Sequence, residues 1–176
     1  MLNKKFLLLG AVAVCAMTFG IQSSKAATDS LSIDAYIVTA LALDCSVQDL
    51  SFGQIEPAAV GSSTITVDTA GARSVAGGAA LVGSGGTEGT CSLTGDTTLA
   101  YDVTIPATTV TGPGPAMAVN NFQITDGATT SGSPYSANLV AGAATLSIGA
   151  DLIVDDAATQ TPGAYTGSVT VTAVYQ

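Results

Sequence analysis

Cys45 and Cys91 are the residues of this chain best suited to covalent chemistry, and a bond to each other is the chemistry they suit. In an oxidising compartment an isolated pair reads as a disulfide; two free buried thiols are the alternative. Little else is equipped to react. Histidine is absent, which removes Ser-His-Asp triads, Cys-His dyads and the commonest zinc ligand. The only lysines are Lys4, Lys5 and Lys25. If they leave with an N-terminal leader, no Schiff base or Ser-Lys dyad remains. Asp151, Asp155 and Asp156 form one carboxylate cluster, and Asp44, Asp49 and Glu56 another. Paired carboxylates can do acid–base work, but such clusters are more often solvated loop charges. Neither fits a calcium loop. Gly83-Ser84-Gly85-Gly86 lacks the Lys-Ser/Thr of a phosphate loop. The expectation is a protein that is not an enzyme, with no catalytic residues, no metal site and no cofactor.

The leader is legible. Lys4 and Lys5 precede an apolar run, Phe6–Ile21, and Ser24-Lys25-Ala26 offers small residues where a signal peptidase reads. The run is interrupted by Gly10, Thr18 and Gly20, and is short of the roughly 20 apolar residues of a membrane span. Residues 1–26 are therefore read as a Sec signal peptide, and Cys15 leaves with it. Arg73 is then the one basic residue facing 13 acids. That balance repels phosphate backbones and anionic lipid heads, so neither nucleic acid nor direct membrane insertion is expected. Export to the periplasm is expected first, then the cell surface.

The elements that position these residues are strands. Leu31, Ile33, Ala35 and Ile37 alternate with Ser32, Asp34 and Tyr36. Further runs are Val47–Ile55, Thr64–Val67, Leu99–Ile105 (stopped by Pro106), Val119–Thr125, Ala144–Ile148, Leu152–Val154 and Tyr165–Tyr175. Short strands divided by Gly- and Pro-rich turns such as Thr111–Pro115 specify an all-β, antiparallel sandwich or barrel. Ala76–Leu81 and Ala141–Leu146 are open to a short-helix reading, which Gly77, Gly78 and Gly142 disfavour.

The two ends are the most informative. Tyr165, Gly167, Val169, Val171, Ala173 and Tyr175 fall on one face of an extended C-terminus, with mostly hydroxylic residues on the other. Alternation alone fits an ordinary closing strand of a sandwich.

A penultimate tyrosine, Tyr175, and Gly163 fourteen places from the end, with alternating apolar residues between them, resemble the C-terminal motif of chaperone–usher pilins. Cys45 and Cys91 are similar to the single disulfide of such pilins, and Leu31–Ile37 resembles their N-terminal donor segment. From Asp29 to Gln176 the chain also resembles the DUF4402 family and, more distantly, spore-coat U-like pilins. Leu50-Ser51-Phe52-Gly53, the Gly-rich middle and the Gly163-x-Tyr165-x-Gly167 ending carry that likeness.

The resemblance implies an immunoglobulin-like sandwich lacking its last strand, with an N-terminal donor strand that completes a neighbour. It divides the chain into a signal peptide (1–26), an extension (27–44) and a pilin-like domain (45–176). Leu31, Ile33, Ala35 and Ile37 become knobs for a neighbour's groove, and the C-terminal strand becomes one side of that groove. The implied function is a structural subunit of a surface fimbria. Its implied partners are copies of itself or related pilins, a periplasmic chaperone and an outer-membrane usher. The donor register stays open by a few residues, because Ala40-Leu41-Ala42-Leu43 is also apolar and can begin the domain's own first strand. The alternatives are Leu31–Ile37 paired within its own domain, and a self-contained secreted β-sandwich that binds glycans or ions or serves the envelope.

Overall fold

Alternation of buried and half-buried residues fixes each principal strand. In the computed structural model, which describes residues 25–176, Ser63, Ile65 and Val67 point into the core from one strand and Cys91 and Leu93 from another. The strands in chain order are β1 (Ala42–Gln48), β2 (Gln54–Glu56), β3 (Ser63–Val67), β4 (Arg73–Ala76), β5 (Ala80–Val82), β6 (Gly89–Thr94) and β7 (Ala100–Thr104). They continue as β8 (Thr108–Val110), β9 (Met117–Thr125), β10 (Thr130–Gly132), β11 (Tyr135–Asn138), β12 (Ala143–Val154) and β13 (Thr172–Tyr175). No helix forms among the described residues, so Ala76–Leu81 and Ala141–Leu146 are not helical. The signal-peptide reading falls on residues 1–26, of which 1–24 lie outside the described residues.

The chain divides between Tyr36 and Ile37. Up to Tyr36 the described residues have no regular structure, and Leu31 and Ile33 are 86% and 87% exposed. The unit from Ile37 to Gln176 is the expected all-β antiparallel sandwich. Its larger sheet runs β1-β6-β12-β3-β4, with β9 also on β12 and with β8 and β10 on β9. The smaller sheet is β11-β7-β13, and β2-β5 forms a separate pair. Tyr101, Val103 and Tyr135 from the smaller sheet share one core with Ile65, Leu93, Ile124 and Leu146 from the larger.

Three departures from the sequence expectations have local causes. Ala144–Ile148 and Leu152–Val154 are one strand, β12, that pairs with β6 through its first half and β3 through its second. Gly149 joins the halves because a Cβ there would meet the Val67 carbonyl. In β9 the inward phase slips between Val119 and Phe122. The ladder to β12 shifts register there, and Asn121 takes a positive φ of 52°. That is a β-bulge at a residue type that tolerates the left-handed region. The C-terminal strand is shorter than expected. Thr172 pairs with Thr104, and just beyond it Pro106 has no N–H to offer, so the ladder stops.

The sandwich also begins earlier than residue 45. Ala42, Leu43 and Asp44 pair with Thr94, Leu93 and Ser92 of β6. Leu41, Leu43 and Cys45 alternate half-buried against the core. The later part of the apolar run Ala40–Leu43 therefore belongs to the domain's own first strand.

Candidate functional site

Cys45 of β1 and Cys91 of β6 are bonded, with Cα atoms 4.0 Å apart. They sit on adjacent antiparallel strands, just where β1 loses register between Asp44 and Gln48. Beyond Gln48, the last residue of β1, the chain runs through Leu50-Ser51-Phe52-Gly53, with Ser51 bridged to Thr87. Arg73 holds that segment in place. Its guanidinium donates to the carbonyls of Phe52 (3.1 Å), Gln54 (3.2 Å) and Gly83 (2.6 Å). Gly53 has φ 71°, and a Cβ on it would overlap the Gly85 carbonyl oxygen, so only glycine fits.

Opposite lies the C-terminal segment before β13. Thr166 exchanges two 2.9 Å backbone hydrogen bonds with Thr111, and the Thr108 hydroxyl donates to the Ser168 carbonyl at 3.1 Å. Tyr165 anchors its start. Its hydroxyl donates to the Thr161 carbonyl four residues back (2.8 Å) and accepts from Gly114 N–H (2.9 Å). This resembles the tyrosine corner of immunoglobulin-like sandwiches, where a tyrosine hydroxyl ties back to nearby upstream backbone.

Between these two segments runs a groove of about 910 Å³. Phe122, Ile148, Leu152 and Val154, all buried core residues, form its floor. Leu50, Phe52 and Ile55 on one wall and Tyr165, Val169 and Val171 on the other pack against the core yet stay half-buried. Among the described residues no backbone hydrogen bond joins the two walls. Two edges thus face each other over an apolar floor without a strand between them.

The residues singled out from sequence fall as follows. Tyr165, Val169, Val171, Ala173 and Tyr175 turn one half-buried face inward, and Gly163 and Gly167 are exposed. Leu31, Ile33, Ala35 and Ile37 are exposed and lie in no strand. Ala173 and Tyr175 do not line the groove. The Tyr175 hydroxyl donates to the Thr39 carbonyl (2.8 Å) and accepts from Asp96 N–H (2.5 Å).

Asp44 and Asp156 of the acidic clusters, and Asp96 outside them, accept hydrogen bonds from residues two or three places along the chain. Hydrogen bonds from Ser46, Thr98 and Thr159 hold the carboxyls of Asp44, Asp96 and Asp156 below their ordinary range. Asp151 stands apart on β12, accepting from Thr66 Oγ1 (2.6 Å) and Asn121 Nδ2 (2.8 Å). Burial, and then the nearby Tyr135 and Asp126, push the Tyr101 phenol up to about 12. Among the described residues no group of three or more His, Cys, Asp or Glu could hold a metal ion.

Sequence reading missed Arg73, Asp96 and Gln160. Arg73 had a signal, being the one basic residue after Lys25. Gln160 is buried at the groove, donating through Nε2 to the Pro115 carbonyl at 3.1 Å. Nothing local in the sequence marks it.

Compared with known proteins, residues 43–175 match the family model described as a domain of unknown function, DUF4402. No curated protein and no solved structure matches.

Proposed function

We propose that this chain, which belongs to the DUF4402 family, is a structural subunit of a bacterial surface fibre that polymerises by exchanging a strand. The observation that carries this reading is the apolar groove between Leu50–Ile55 and Thr161–Val171, whose walls share no ladder. Its occupant is the segment Leu31–Ile37 of a second copy.

Three features support that occupant. Leu31, Ile33, Ala35 and Ile37 alternate, as one face of a strand must, and they are exposed. About seven extended residues span roughly 23 Å, within the roughly 30 Å that Gly163–Val171 reaches when extended. Burial of each large side chain offers about 1.5–3 kcal/mol, less for Ala35, and inserted backbone satisfies the groove's facing edges. In this reading the protein is exported through Sec. A periplasmic chaperone covers the groove first, and an outer-membrane usher directs the exchange. Its role is structural rather than enzymatic.

The test compares the chain begun at Thr39, alone and with a synthetic peptide of Asp29–Val38. Alone it is expected to aggregate; with peptide it should stay soluble and melt several degrees higher. A stable monomer indifferent to the peptide would instead favour the self-contained secreted sandwich.

A further inference from the structure

Both backbone groups of Thr39 are captured by side chains from distant parts of the fold. Its carbonyl accepts from Tyr175 Oη at 2.8 Å, and its N–H reaches Asp96 Oδ2 at 3.4 Å. The same Tyr175 hydroxyl accepts from Asp96 N–H at 2.5 Å. Asp96 is itself fixed, because its Oδ1 accepts from Thr98 N–H (2.8 Å) and Thr98 Oγ1 (2.6 Å). The chain end is held too, since Gln176 N–H donates to the Ala100 carbonyl at 3.0 Å. One hydroxyl therefore joins the β6–β7 turn, the last strand and the segment that leads into β1.

The surroundings change character at this point. Ile37 is 92% exposed. Leu41 and Leu43, beyond Thr39, pack against the domain's own core, and Leu43 pairs with Leu93. We infer that Tyr175 and Asp96 form a joint that fixes Thr39 as the root of the N-terminal arm. Only residues before Thr39 are free to enter another subunit, and the orientation in which each domain follows the last is set by this joint. Tyr175 is a positioning residue here, acting on the arm through Thr39 rather than touching the groove's occupant. The consequence for the fibre rests on the strand-exchange reading; the joint is a property of the single chain.

Two measurements test it, the first on the mature chain, residues 27–176, and the second on the chain begun at Thr39, which carries no arm of its own. The first is amide exchange of Tyr175→Phe, which keeps the ring and its packing but removes the hydroxyl. Loss of one ordinary hydrogen bond corresponds to about a tenfold change in opening. The Asp96 and Thr39 amides are expected to exchange about tenfold faster or more, with β7 and β13 amides unchanged. Unchanged rates at Asp96 and Thr39 would overturn the joint. So would equal acceleration throughout β13, which would make Tyr175 only a strand-stabilising residue.

The second measurement compares peptides Asp29–Val38 and Asp29–Leu43 for binding to the groove. Equal affinity within about threefold fits a donor that ends before Thr39. A gain of about tenfold or more for the longer peptide would overturn the assigned root. Failure of both peptides to bind would remove strand exchange and the donor boundary with it, leaving the joint to the exchange data.

Discussion

Ile33→Asp is expected to abolish assembly while leaving the single chain folded. Ile33 is 87% exposed, and an exposed substitution away from packing contacts changes domain stability by about 0.5 kcal/mol or less. In the proposed polymer the same side chain lies in an apolar groove. The substitution forfeits about 1.5–3 kcal/mol of burial and adds a desolvation penalty of several kcal/mol for an unpaired carboxylate. Together these weaken each junction by roughly a thousandfold or more. The check pairs the yield of chaperone-bound subunit with fibre length by electron microscopy. An unchanged yield with no fibres is the expected pair. Wild-type fibres would remove Ile33 from the junction, and equal loss of chaperone-bound subunit and fibres would make it an ordinary core residue.

Reducing the Cys45–Cys91 bond is expected to cost the domain about 4 kcal/mol by the chain-entropy relation, for cysteines 46 residues apart in sequence. Domains of ordinary stability hold about 5–15 kcal/mol, so the loss is a large share. The position sharpens the effect. β1 is an edge strand whose register to β6 is interrupted between Asp44 and Gln48. The bond fastens it there, at the start of one groove wall. Urea unfolding with and without reductant measures this: a clearly lower midpoint is expected on reduction. An unmoved midpoint would mean the ladder alone holds β1.

The strand runs were legible because alternation is a short-range property of sequence. Thr64–Val67 and Leu99–Ile105 became β3 and β7 with boundaries shifted by a residue or two. What was not legible depends on partners distant in sequence. Tyr165–Tyr175 alternates throughout, yet forms ladder only from Thr172, because Pro106 ends the partner strand. Ala40–Leu43 reads equally as arm or domain, and its assignment follows from pairing with β6. The penultimate tyrosine was visible, but not its grip on Thr39, which lies 136 residues away. The groove has the same character. Its walls come from opposite ends of the domain, and only the resemblance pointed to it.

The most direct measurement is of contacts between the Asp29–Val38 peptide and the groove. With the peptide carbon-13 labelled at Ile33 and the domain unlabelled, intermolecular nuclear Overhauser effects are predicted from the Ile33 methyls to Phe122 and Val169. An Ile33 side chain that stays in solvent, or that contacts only the outer face of β4, would contradict the account.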